Sequence, residues 1–154
     1  MKTATTGSSA DLPGPIYCDA SALVKLYVPE AESDALNRRI EGRRDLLVSD
    51  LSVTEIVSSL SRRRREGTLK TEIVSRLHRA ILGHLEDGVY RKVDLIATTH
   101  REAERLLLSV DAVPLRAADA LHLALAIAGD AACLLTFDRR LALAAQAVGL
   151  RVLD

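Results

Sequence analysis

Short apolar runs alternate along this chain with longer stretches in which apolar residues recur at helical spacing. Ile16-Tyr17-Cys18-Asp19, Leu46-Leu47-Val48, Val93-Asp94-Leu95-Ile96, the run from Ala132 to Phe137, and Arg151-Val152-Leu153 predict strands. Ala22 to Val28 has helical spacing and stops at Pro29, and residues 30–43 read as a polar helix closed by Gly42. Val53, Ile56, Val57 and Leu60 fall on one face of a helix that starts near Ser52 and ends near Gly67. Ile73, Leu77, Ile81 and Leu85 line another from Thr71 to Glu86, and the short connection makes the two an antiparallel hairpin. Thr99-His100-Arg101-Glu102 has the form of a capping box opening a helix through Val110. Residues 116–128 are apolar almost all round, hence a buried helix, and residues 139–147 form a last helix stopped by Gly149.

Short apolar strands separated by helices imply an α/β domain with a mainly parallel central sheet and helices on both faces. In such sheets ligands bind beyond the carboxyl ends of the strands, where the strand order reverses. The length, 154 residues, suits one domain. Residues 1–14 are small and polar and are expected to be a disordered tail, with the domain occupying 15–154. No run is long enough for a transmembrane helix, and no apolar stretch follows Lys2 as in a secretory signal. A cytoplasmic location is therefore expected, with no membrane association. Cys18 and Cys133 lie in predicted strands and read as buried, reduced thiols. Lys plus Arg (21) balances Asp plus Glu (21), which excludes nucleic-acid binding by bulk charge but not a local basic patch.

Four acids stand out by position. Asp19 and Asp138 each close a predicted strand, where an Asp commonly caps the following helix. Glu55 lies in the first turn of its helix, where Ser52-Val53-Thr54-Glu55 also fits a capping box. It points roughly 150° away from that helix's apolar face at about 100° per residue, and so can face a cleft. Asp119 sits in an apolar helix, where an unpaired carboxylate is costly; it needs a cation or a partner such as Arg116. Carboxylates converging at one rim repel each other unless a divalent cation joins them. All-oxygen ligation suits Mg²⁺, with Mn²⁺ able to substitute, and acidic clusters of this kind serve phosphodiester hydrolysis through a metal-activated water.

The motifs Tyr17-Cys18-Asp19-Ala20-Ser21-Ala22-Leu23-Val24-Lys25, Ser49-Asp50-Leu51-Ser52-Val53-Thr54-Glu55, Leu115-Arg116-Ala117-Ala118-Asp119-Ala120-Leu121-His122-Leu123-Ala124 and Leu135-Thr136-Phe137-Asp138-Arg139-Arg140-Leu141 resemble, in order and spacing, those of PIN-domain ribonucleases of the VapC toxin type. The resemblance implies a Mg²⁺-dependent endoribonuclease, the toxin of a toxin–antitoxin pair. Asp19 and Asp119 would be the principal metal ligands, Glu55 and Asp138 would complete the cluster, and Thr136 and Ser21 would orient carboxylates or phosphate. It also implies a homodimer, an RNA substrate and a VapB-like antitoxin. The antitoxin's groove is expected between the first helix (Leu23, Leu26, Tyr27) and the hairpin around Leu60 and Leu77.

Arg62 and Arg65, in the run ending the helix that carries Glu55, and Arg139 and Arg140 after Asp138 are candidate RNA contacts, the latter pair better placed by sequence. His122, three residues after Asp119, reads as a core histidine rather than a ligand, and His78, His84 and His100 receive no role. Two alternatives stay open: a receiver-like phosphoryl-accepting domain, and a PIN-like module that binds RNA or protein without cutting.

Overall fold

The computed structural model describes residues 12–154. Their order is β1 (Ile16–Cys18), α1 (Ala20–Tyr27), α2 (Ser33–Ile40), β2 (Leu46–Ser49), α3 (Asp50–Arg65), α4 (Thr71–Glu86), β3 (Arg91–Val93), α5 (Ala97–Ser109), α6 (Ala117–Ala128), β4 (Cys133–Leu135), α7 (Arg139–Ala147) and β5 (Arg151–Leu153). The strands form one sheet in the order β3-β2-β1-β4-β5, every pairing parallel. The chain winds outward from β1 to β3, then returns to β4 on the other side of β1. The order therefore reverses between β1 and β4, and the crevice beyond their carboxyl ends is the favoured ligand site. A receiver-like domain would follow the flavodoxin-like order 2-1-3-4-5, so this topology removes that alternative.

Alternation along β1 divides the core. Ile16 and Cys18 face a cluster with Leu23 of α1, Leu36 of α2, Ile56 and Leu60 of α3, and Ile81 of α4. Tyr17 faces the other side, with Leu106 of α5, Leu123 and Ala124 of α6, and Leu141 of α7. Both faces are covered, as the fully buried central strands β1, β2 and β4 require. Cys18 and Cys133 are free and buried. Among the described residues no helix is long and apolar enough to cross a membrane.

Several expectations change. The third strand is Arg91–Val93, earlier than Val93-Asp94-Leu95-Ile96, because Leu47, Val48 and Ser49 pair with 91–93 and α5 begins by Ala97. Thr99 does not cap α5; it lies inside the first turn and its hydroxyl bonds the Asp94 carbonyl. Helix α3 begins at Asp50, capped by the Ser49 side chain on the Ser52 N–H, so Glu55 is not the return arm of a capping box. Of the expected tail, residues 1–11 lie outside the described residues. Leu12 packs against the core, its carbonyl accepts from the Arg43 guanidinium, and the Pro13 carbonyl accepts from the Cys133 thiol. Of the walls named for the expected groove, Leu23 and Leu60 are fully buried where α1 packs on α3, whereas Leu26, Tyr27 and Leu77 remain partly exposed.

Candidate active site

Asp19 follows β1 directly and is 4% exposed. It is the N-cap of α1, accepting from the Ala22 N–H at 2.9 Å. Ser21 Oγ donates to the same carboxylate at 2.7 Å and Thr136 Oγ1 at 2.8 Å. Burial pushes the Asp19 carboxyl above the usual range, and these three donors pull it back. Thr136 ends the run through β4 and also accepts from the Asp138 N–H, while Ser21 Oγ accepts from the Phe137 N–H. The parallel pairing of β1 with β4 thus locks two strand ends into one hydrogen-bonded rim. Asp138 caps α7, its exposed carboxylate accepting from the N–H groups of Arg140 and Leu141 at 2.8 and 3.3 Å. Both strand-end aspartates are helix caps, and both face the same opening.

That opening is a cleft of about 420 Å³ lined by Asp19, Ser21, Glu55, Ser58, Ser59, Arg62, Arg65 and Asp138, with Ala20 and Val24. The residues from α3 fall at helical spacing, so Glu55 leads a polar stripe that ends in two arginines. The basic residues are placed differently from what their nearness in sequence to the acids suggests. Arg62 and Arg65 line the acidic cleft, whereas Arg139 and Arg140 line a separate shallow pocket with Val113, Pro114 and Leu143. The reason is local: Asp138 turns its carboxylate back on the first N–H groups of α7, and the helix carries the next two side chains elsewhere. The stripe Glu55, Ser58, Ser59, Arg62, Arg65 was legible in the sequence as a helical face.

Asp119 occupies the first turn of α6 and is 7% exposed. Its carboxylate accepts from the Arg116 main-chain N–H at 3.1 Å, so the partner is Arg116's backbone, not its guanidinium. One turn on, His122 is buried and bonds Glu55 Oε2 through Nε2 at 2.7 Å. Its Nδ1 lies 2.9 Å from the Tyr17 hydroxyl. His122 is a satisfied core histidine, as read, and it bonds a side chain that lines the cleft. Tyr17 was missed because its position inside a strand gives no sign of which polar group its hydroxyl will meet.

The donor set bears on which ion could sit here. Among the described residues, Asp19, Asp119 and Asp138 pair with no Lys or Arg, and the only acid-to-base contact at the cleft is Glu55 with His122. Carboxylates without a cationic partner, around a small crevice with no cysteine, fit a hard divalent cation rather than Zn²⁺. The four acids are not drawn into one closed set: among the described residues no three His, Cys, Asp or Glu side chains form a ready-made metal-binding group. Asp19, Glu55 and Asp138 share the cleft, while Asp119, at the start of α6 and one helical turn from His122, is not among the residues that line it.

Residues 16–147 match the PIN domain family. Ribonuclease VapC46 of Mycobacterium tuberculosis is 34% identical over 142 residues, covering 90% of this chain and 95% of that protein. Ribonuclease VapC45 of the same species is 36% identical over 141 residues, covering 89% of this chain and 93% of its own length. The crystal structure of M. tuberculosis VapC20, a sarcin–ricin loop cleaving toxin, superposes with a TM-score of 0.65 at 18% identity, covering 84% of this chain and 95% of VapC20. At that identity the likeness to VapC20 speaks for the fold alone.

Proposed function

The chain belongs to the PIN-domain family, and from that premise we propose that it is a Mg²⁺-dependent endoribonuclease, the toxin of a VapBC-type pair. The observation that carries this reading is the cleft at the β1/β4 reversal, where Asp19, Glu55 and Asp138 stand beside Arg62 and Arg65. Asp19, with Glu55 and Asp138, would hold the cation from the cleft, and Asp119 from the start of α6. When bound, such an ion supplies Lewis acidity, lowering the pKa of water and offsetting charge on the phosphate. The chain's residues do the positioning. Ser21 Oγ lies within hydrogen-bond distance of both Asp19 carboxylate oxygens and Thr136 Oγ1 donates to Oδ2, which fixes the carboxylate at the edge of the cleft. Arg62 and Arg65 supply the local positive charge that a neutral protein lacks overall, and so draw the RNA backbone across the acids. Mn²⁺ is expected to substitute for Mg²⁺ because both accept all-oxygen ligation.

The proposed partners are an RNA substrate, a VapB-like antitoxin and a second copy of the chain. Exposed Leu107, Leu108, Ile127 and Leu143 support a further interface. The deciding experiment is cleavage of a mixed RNA pool by the metal-stripped protein with Mg²⁺, with Mn²⁺ and with EDTA. Cleavage that returns with either ion and stops with EDTA is expected. RNA binding with no cleavage in either ion would instead favour the non-catalytic module. Co-expression with a candidate VapB-like protein tests the antitoxin proposal; a true partner is expected to co-purify and suppress cleavage.

A further inference from the structure

Glu55 is held differently from the other acids of the cleft. Asp19 and Asp138 are fixed by main-chain N–H groups, as caps must be. Glu55 has a longer side chain, 36% exposed, and among the described residues its only hydrogen-bond partner is His122. Behind His122 the chain of contacts runs into the sheet. The Tyr17 hydroxyl lies 2.9 Å from His122 Nδ1 and 2.8 Å from Ser49 Oγ. Ser49 Oγ in turn accepts from the Ser52 N–H at 3.2 Å. The directions follow from chemistry. A carboxylate only accepts, so Nε2 carries the proton toward Glu55. In the tautomer with its one proton on Nε2, Nδ1 accepts and Tyr17 donates to it; burial pushes the Tyr17 hydroxyl well above its ordinary range and keeps it protonated. Tyr17 also packs edge-on to the imidazole, with ring centroids 5.8 Å apart.

We infer that Tyr17 and His122 form a buried strut that positions Glu55: the sheet holds Tyr17, Tyr17 sets the tautomer and tilt of His122, and His122 holds the Glu55 carboxylate at the mouth of the cleft. Without it, Glu55 is free to take other rotamers over Ser58 and Ser59 on its own helix face. His122 and Tyr17 are positioning residues, since neither lines the cleft. This rests on the reading of Glu55 as part of the cation site. A hydrogen bond that orients a ligating group typically matters 10- to 100-fold for metal affinity or activity, an order-of-magnitude expectation.

The test uses the full chain, stripped of metal, with Mn²⁺ affinity by titration calorimetry, kcat and KM for RNA cleavage, and thermal melts on every variant. His122→Phe should weaken Mn²⁺ binding and lower kcat by roughly tenfold or more, with KM little changed. His122→Gln, which can still donate to Glu55, should restore most of both. Tyr17→Phe should move both readouts in the same direction but less, and Tyr17→Phe with His122→Phe together should be no worse than His122→Phe alone. A folded His122→Phe with wild-type Mn²⁺ affinity and kcat overturns the inference, as does a folded His122→Gln no better than His122→Phe. Should His122→Phe not fold, Tyr17→Phe decides by the same readouts, a wild-type result counting against the strut. Glu55→Gln separates the two failures. If it leaves Mn²⁺ affinity and cleavage unchanged, the reading of Glu55 fails and the strut with it; if it weakens them while His122→Phe does not, the strut alone fails.

Discussion

Asp19 combines near-complete burial with three hydrogen-bond donors, and its carboxyl is still pushed upward. The consequence for the metal-free protein has a definite sign. Between the ordinary Asp pKa, about 3.9, and the raised folded value, the folded state binds a proton that the unfolded state has lost. Stability therefore falls as pH rises through that window, and Asp19→Asn should abolish this fall. Urea melts of metal-free wild type and variant across the acid range check it; parallel pH dependences would contradict it. Asp119 gives a second prediction at this scale. Asp119→Asn keeps the shape and can still meet the Arg116 N–H through its amide oxygen, so the fold should survive. Cleavage should drop by roughly a hundredfold or more, since even outer partners of a ligand matter 10- to 100-fold. Cleavage at wild-type rate in Mg²⁺ would remove Asp119 from the site.

Helix α3 has two functions on two faces. Val53, Ile56 and Leu60 pack into the core, while Glu55, Arg62 and Arg65 line the cleft. The helix can therefore lose its basic end without losing its seat. Replacing Arg62 and Arg65 with alanine should raise KM for RNA and reduce the salt dependence of binding, by about 0.7 in log–log slope for each phosphate contact removed from a single strand. Replacing Arg139 and Arg140 should do markedly less, because they line another pocket. Binding isotherms over a salt series distinguish the pairs, and equal effects would mean that RNA also crosses α7.

At the scale of the molecule, exposed leucines remain after both sheet faces are covered. Leu108 is 86% exposed, on the C-terminal turn of α5, and Leu143 of α7 is half-exposed. A twofold dimer would bury such positions and place two clefts on one particle. Light scattering at micromolar protein should give about twice 16.7 kDa. Particles of the monomer mass alone would rule the dimer out at that concentration. Of the residues named for the expected antitoxin groove, packing of α1 on α3 buries Leu23 and Leu60, while Leu26, Tyr27 and Leu77 stay partly exposed.

Sequence by itself determined the alternation of strand and helix, the hairpin over α3 and α4, and the acids at the strand ends. Those features are local: apolar period, capping chemistry and turn residues act within a few positions and leave their pattern in the chain. It also marked Asp119 as a carboxylate that burial alone cannot explain. Three things were decided only by the tertiary structure. The sheet's order set Asp19 beside Thr136 and Asp138, since pairing between β1 and β4 depends on contacts far apart in the chain. Pairing with β2 moved the third strand to Arg91–Val93, overriding a weak local pattern. And the meeting of Tyr17, His122 and Glu55 required three elements to pack, because a side chain's type states what it can bond but only the fold states what it will reach.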